Sequence, residues 1–407
     1  MTSLFTNKAT NLTLRGITIL LKFALSVIVI KELSVADYGV FGLFQSTIVI
    51  LTFIIGFDFY TFSSREILKK NAKTFSFYFI NQLVFHLLGY IFILPFTYFI
   101  FKLGIIDLKY ASLFIVILIS EHLSQELYRI LIILNKTVVA TMVLFFRSGS
   151  WILALYLFWN QNILEVNINS ILILWFSGAA LSVLLGFKFI KIKRIKKIDF
   201  KWMFEGVKIA FPFFVGTVLY KIIEFSGRYF LNFYYSEEEV GVYTFFSGIA
   251  NILFVFVQTI VIIELFPKLI KAKEINSHKF FTTLKAFKKQ ITRYSILGLI
   301  LSILFIYPLL WFLDKTVLFE SVLSYLILLV STLLFCFSFI PHYALYTHEK
   351  DLDILKATII SFVFNVLLSF ILIPEFGILG AAISQLGAFL ILLIIKVNYW
   401  KKYKLEL

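Results

Sequence analysis

Read for its hydrophobic and polar positions, the chain is a succession of apolar runs about twenty residues long, separated by short polar stretches. A helix needs roughly 20 apolar residues to cross a hydrocarbon core about 30 Å thick. Runs of that kind fall at 12–32, 38–57, 78–101, 111–134, 137–158, 168–189, 207–233, 239–264, 290–312, 319–342, 354–373 and 377–397. The pattern predicts an all-α integral membrane protein of about twelve transmembrane helices. The first run is too long, and too interrupted by Arg15 and Lys22, for a cleaved signal peptide, and is expected to be a permanent span. Pro212, in FPFF, is expected to kink or break the seventh run. Two polar stretches, 188–202 and 265–289, read as long loops, and the first divides six runs from six. The expected organisation is a six-helix bundle over 1–190, a basic connecting loop over 191–206 and a second six-helix bundle over 207–407.

Composition sharpens this picture. Of 407 residues, 60% are hydrophobic and 15% charged, against about 45–50% hydrophobic in soluble domains. A net charge of +15 would point to nucleic acid in a soluble protein, but here the position of each base carries more information than the sum. Most of the 38 lysines and arginines lie near the N-terminus, in the loops after even-numbered runs or near the C-terminus, where Lys396 is counted with Lys401, Lys402 and Lys404. The opposite side has only Lys31, Lys102, Lys109 and Lys315. The positive-inside rule then places both termini in the cytoplasm, which independently requires an even number of spans. The basic loops read as orientation signals that can also touch anionic lipid headgroups. Cys336 is the lone cysteine, so an intramolecular disulfide or a cysteine-based metal site is excluded, and packing is its expected role.

Sliding the halves over one another by 202 residues lays ELSVADYGVFGLFQS (32–46) over YYSEEEVGVYTFFSG (234–248). Ser34 then matches Ser236, Gly39 matches Gly241, Val40 matches Val242, Phe44 matches Phe246, and Asp37 lies over Glu239. Each copy joins the first and second spans of its half on the same side, as a parallel six-plus-six repeat requires. Both carry Ser-x-x-Asp/Glu, the capping-box spacing, in which the serine oxygen accepts from an exposed helix N–H and the acid favours the positive end of the helix dipole. The glycines that follow would let a neighbouring helix come close.

At these residues the sequence resembles the polysaccharide transporter branch of the MOP flippase superfamily, the O-antigen and capsule repeat-unit flippases. GFDFYTFSSREILKK (56–70) is similar to the family's Gly-x-Asp followed by a Ser-Arg-Glu-like turn, here Gly56, Asp58, Ser64, Arg65 and Glu66. PEFGILGAAIS (374–384) is similar to its Gly-x-x-Gly-Ala-Ala turn, here Gly377, Gly380, Ala381 and Ala382. The seventh run also resembles the family, with Glu224 where an aspartate is common. The resemblance implies a MOP/MATE-like pair of six-helix bundles moving an isoprenoid (undecaprenyl) pyrophosphate-linked oligosaccharide in a bacterial cytoplasmic membrane. Its implied partners are that lipid-linked substrate, membrane lipids and other polysaccharide assembly proteins, without nucleic acid.

Ionisable groups at the centre of a spanning helix cost roughly 2.5–3.5 kcal/mol each, so they face a cavity or one another. Here they are Lys22 in the first run, Glu121, His122, Glu126 and Arg129 in the fourth, Arg147 in the fifth, and Lys221, Glu224 and Arg228 in the seventh. Arg15 and Lys22, seven residues apart, share a helix face at a separation of about 10 Å, a ladder of bases suited to an anion. With the offset of 202, Lys22 overlies Glu224, which is either a closing ion pair or coincidence. Helical spacing allows Glu121, Gln125 or Glu126 to pair with Arg129, and Glu224 to pair with Lys221 or Arg228, but leaves bases in excess. Arg147 has no charged neighbour within reach in its own run, so it and Lys22 are preferred for an anion, with Arg15, Arg129, Lys221 and Arg228 as further substrate contacts. Glu121, His122, Glu126, Glu224 and Asp58 are candidates for coupling or gating. His122 could exchange protons near neutral pH or simply be a hydrogen-bonded packing residue. No cofactor is expected beyond a coupling proton or sodium ion. Gly380, Ser384 and Ala388 form a small-residue stripe for close helix contact.

The expected function is alternating access: a cationic cavity takes the pyrophosphate and sugars while two bundles rock. A cation-coupled multidrug exporter of the same superfamily would share the bundles but favour acids in its cavity. A major-facilitator carrier lacks its usual Gly-x-x-x-Asp-Arg/Lys-x-Gly-Arg loop here. A glycan polymerase or ligase would need a substantial outer loop, and no paired catalytic carboxylates, phosphate-binding glycine loop or nucleophile triad occurs in an aqueous region, so no enzyme is expected.

Overall fold

The computed structural model of the chain describes residues 2–69, 75–193 and 197–405. Lys70, Lys73, Arg194 and Lys196, counted among the cytoplasmic bases, lie outside the described residues. Among the described residues the regular secondary structure is all helical, with no strand. In order, the helices are α1 (Thr2–Glu32), α2 (Val35–Gly56), α3 (Tyr60–Lys69), α4 (Phe75–Lys102), α5 (Ala111–Ile133), α6 (Thr137–Phe145), α7 (Trp151–Asn160) and α8 (Ile168–Lys188). They continue as α9 (Phe200–Tyr234), α10 (Glu237–Val257), α11 (Ile263–Ile275), α12 (Ser277–Leu313), α13 (Thr316–Glu320), α14 (Val322–Tyr346) and α15 (Asp351–Leu405). A π turn at Phe146–Ser150 joins α6 to α7, and another at Gln258–Ile262 joins α10 to α11.

Ten of the described helical segments are long and apolar enough to cross a membrane, so this is a multi-pass membrane protein. The sequence pattern predicts about twelve, and the difference of two has visible origins. Helix α5 is 23 residues long but concentrates Glu121, Glu126 and Arg129, which lowers its apolar character. Helix α15 counts once although it is interrupted at Gly377, whose φ of 51° and ψ of −125° are not helical. Tyr235 Oη donates to the Pro374 carbonyl at 2.9 Å beside that bend. The stretch 265–289 is not the loop its lysines imply: α11 and α12 run through it, separated only at Asn276, whose side chain caps α12 by accepting from Lys279 N. Nor does Pro212 break its helix, because α9 continues for 35 residues through it.

Contacts divide the chain into two compact units. The first runs to Leu33 and from Leu43 to Val218; the second takes Ser34–Gly42 and the residues after Val218. In the first, an aromatic core gathers Phe59, Phe62, Tyr78 and Phe79 with Trp202 near the start of α9, the Phe59 and Trp202 rings meeting edge-on at 5.4 Å. In the second, Ile223, Phe335, Ala388 and Phe389 form a core in which the Tyr220 and Phe335 rings stack at 4.8 Å.

The repeated segment is explained inside the second unit. Ser34 Oγ accepts from Asp37 N at 3.0 Å, and Ser236 Oγ from Glu239 N at 3.4 Å, so both serines cap their helices. The Ser34 hydroxyl donates in turn to Asp37 Oδ2 at 2.7 Å. Past the caps, α2 and α10 cross at backbone distance. A Cβ on Gly39 would lie 1.9 Å from the Glu237 carbonyl oxygen, and one on Gly241 would lie 1.9 Å from the Val35 carbonyl oxygen. The two contacts map onto one another under the 202-residue offset. Without a hydrophobic force between helices in lipid, such small-residue crossings supply packing.

Candidate functional site

Helix α5 organises the buried charge of the first unit because its polar residues fall on two faces. Glu121 lies on one, with Tyr128 two turns along; His122, Glu126 and Arg129 lie on the other, at the i, i+4 and i+7 positions of a helical stripe.

On the first face, Glu121 Oε1 accepts from Trp175 Nε1 of α8 at 2.6 Å, and its Oε2 lies 3.6 Å from Arg147 Nε. Arg147 belongs to the π turn between α6 and α7, a local widening of the helix that recurs at functional sites. Its guanidinium is largely buried, with 13% side-chain exposure, yet Nε and Nη1 make no hydrogen bond with any described residue. Lys22 of α1, which packs against that π turn, is exposed and stands within electrostatic reach of both Arg147 and Glu121. Arg15, the lower rung on α1, donates from Nη2 to Tyr128 Oη at 3.3 Å, and its Nε has no described partner. Two bases thus share one acid, and a guanidinium keeps donors available for an anion.

The second face holds a denser network. Glu126 is buried; Arg129 Nη1 donates to its Oε1 at 2.5 Å, and Gln82 Nε2 donates to its Oε2 at 2.7 Å. His86 Nε2 lies 3.5 Å from the same Oε2, and Tyr90 Oη lies 2.6 Å from His122 Nδ1. Arg129 also stacks on Tyr60, its guanidinium carbon 3.7 Å from the ring centroid. Asp58, held with Phe57 at positive φ after α2, is hydrogen-bonded to Thr217 and lies within electrostatic reach of Arg129 and Glu126. The facing atoms of His86, His122 and Glu126 fall within 4.8 Å of one another, so these are the described residues that could hold a cation. Arg129 already neutralises Glu126 there, which disfavours a second positive charge.

In the second unit, Lys221 donates to Glu224 Oε2 at 2.7 Å. Arg228 is 5% exposed and donates from Nη1 to the Gly42 carbonyl at 3.0 Å, tying α9 to the end of the repeated segment. Lys396, placed by its position among the terminal bases, is instead buried and lies within electrostatic reach of His342. Gln82, His86 and Tyr90 were not legible as site residues from charge alone, although their four-residue spacing draws a polar stripe along the apolar α4.

A family profile described as polysaccharide biosynthesis protein matches residues 4–273. The chain belongs to that family. Among solved structures, this polysaccharide biosynthesis protein is similar to an inward-facing multidrug resistance MATE family transporter of the MOP superfamily, with TM-score 0.76 and 15% identity, covering 94% of each chain. It is also similar to the lipid II flippase MurJ in an inward closed conformation, with TM-score 0.74 and 16% identity, covering 96% of this chain and 87% of that one. A Vibrio cholerae MATE transporter, VcmN, aligns with TM-score 0.66 and 13% identity over 98% of both. These likenesses show that the chain shares the all-helical fold of those structures. No curated protein sequence matches the chain.

Proposed function

We propose that this polysaccharide biosynthesis protein flips isoprenoid pyrophosphate-linked oligosaccharide repeat units, for O-antigen or capsular polysaccharide, from the cytoplasmic to the outer leaflet of a bacterial inner membrane by alternating access. The reading is carried by Arg147, a largely buried guanidinium in a π turn whose Nε and Nη1 have no described hydrogen-bond partner, beside Lys22. Guanidinium donors match phosphate oxygens in number and geometry. Lys22 and Arg147 hold the pyrophosphate, Arg15 meets it on the way, and the isoprenoid tail stays in lipid. The membrane potential, negative inside, favours outward movement of the anionic headgroup by about 2.3 kcal/mol per charge per 100 mV. The distribution of bases supports a cytoplasmic position for both termini. Glu121 limits the field at Arg147, which keeps release of the anion possible.

The test is translocation of a fluorescent isoprenoid-pyrophosphate oligosaccharide in proteoliposomes, wild type against Arg147→Ala and Lys22→Ala, with a cationic dye as competitor. Loss of flipping by about tenfold or more in Arg147→Ala is expected, the scale of a lost charged hydrogen bond. Normal rates in both variants would sink the anion-site reading, and transport of dye without lipid would move the protein to the multidrug exporters.

A further inference from the structure

The second unit carries a cavity lined by none of the residues assigned to the anion site. It measures about 810 Å³ and opens at the end of the unit where α12 begins and α15 finishes, within the roughly 300–1,000 Å³ of ordinary ligand sites. Three helices build it. Phe281, Leu284, Lys285, Lys288 and Thr292 recur at helical spacing on one face of α12. Phe337, Ile340 and Pro341 of α14 close the back, and α15 contributes Leu393, Val397, Trp400, Lys401 and Lys404, again one helical stripe. Its walls are apolar save for Thr292 and four lysines, and no acid is among the lining residues. All four lysines are exposed, and none of them makes an ion pair with a described residue.

The lysines stand where the apolar stretch of α12 starts and that of α15 stops, at the level of lipid headgroups. Trp400 beside them is the residue type that marks such an interface. An apolar cleft needs hydrocarbon, and a rim of four cations at headgroup depth needs a phosphate. A soluble phosphate would leave the cleft unfilled, and a zwitterionic lipid would leave the rim uncompensated. Basic pockets between spanning helices take anionic headgroups for this reason.

We infer that this cleft binds one anionic phospholipid of the surrounding leaflet, acyl chains against Phe337, Ile340 and Leu393 and phosphate among Lys285, Lys288, Lys401 and Lys404. The site lies entirely within the second unit and is independent of Arg147, so its failure and that of the flippase reading are separable.

The experiment measures binding of brominated phosphatidylglycerol, brominated phosphatidylcholine and inorganic phosphate to the purified full chain in detergent, by quenching of tryptophan fluorescence and by thermal shift. Trp400→Phe isolates the local signal from the five other tryptophans. Each lysine near a headgroup contributes about a fivefold gain in affinity, so phosphatidylglycerol is expected to bind at least about tenfold more tightly than phosphatidylcholine. That preference should disappear in the Lys285→Gln, Lys288→Gln, Lys401→Gln, Lys404→Gln variant, whose changes are all on exposed side chains. Val397→Trp, which fills the cleft, should abolish quenching of Trp400 for both lipids. Equal affinity for the two lipids, a thermal shift reproduced by inorganic phosphate, or undiminished preference in the lysine variant would each overturn the inference.

Discussion

Glu126 takes hydrogen bonds from Arg129 and Gln82 and lies against His86, so what it contributes depends on what its loss leaves behind. Breaking a buried ion pair by removing one partner costs about 3–5 kcal/mol, because the surviving charge is stranded. Glu126→Gln keeps the shape and strands the Arg129 guanidinium; a loss of thermal stability of that order in detergent is expected, and an unchanged melting temperature would show that Arg129 finds another counter-charge. The pairing of Glu126 with Arg129 was legible in the sequence, since three-residue spacing on a helix brings such side chains together. The partner of Arg147 was not: Glu121 sits on a different helix, and periodicity within one run carries no information about its neighbours. The π turn around Arg147 was invisible for a related reason, as FRSGS has no spacing that separates a π turn from an α turn.

Among elements, the crossing of α2 and α10 depends on two absent side chains. Alanine favours a helix over glycine by about 1 kcal/mol, which alone would make Gly39→Ala or Gly241→Ala stabilising. Overpacking opposes this by about 1–3 kcal/mol, and it prevails because the atom 1.9 Å away is a backbone carbonyl oxygen, which no rotamer change can move aside. Each single variant is therefore expected to melt earlier, by differential scanning fluorimetry, and Gly16→Ala, with open space around it, to melt no earlier than wild type. The capping serines and these glycines were readable as a repeat because helix starts have a chemical signature. The course of α11 and α12 through 265–289 was not, since a lysine-rich helix that leaves the apolar slab has the composition of a loop. The continuity of α9 through Pro212 was equally hidden, because neighbouring helices can re-satisfy the backbone groups that proline frees.

For the whole molecule, the number of spans and the side on which each loop lies are one question. The proposed orientation, drawn from the excess of bases on one side, puts His278, at the start of α12, in the cytoplasm and Lys109, ahead of α5, outside. Cys336 is the chain's sole cysteine and is buried, so Cys336→Ala provides a background for reporters. On it, Lys109→Cys should react with a membrane-impermeant maleimide in intact cells, and His278→Cys only after the membrane is opened. The reverse pattern would invert the orientation, and labelling of both from outside would require an even number of spans between them. The bundle architecture was readable because hydropathy reports each span separately, whereas the charge clusters join α1, α4, α5, α8 and the π turn, elements far apart in the chain.

The crossing at Gly39 and Gly241 has one more property. Residue 35 meets 241 and residue 39 meets 237, and a Cβ on Gly42 would fall 2.4 Å from Oγ1 of Thr244, the position its own offset predicts. Contacts in which i touches j while j touches i, with one position facing its own copy, are the mark of an isologous two-fold interface between identical subunits. The crossing therefore has the arithmetic of a homodimer contact carried within a single chain, so a change at one of these positions alters a contact whose counterpart lies 202 residues away.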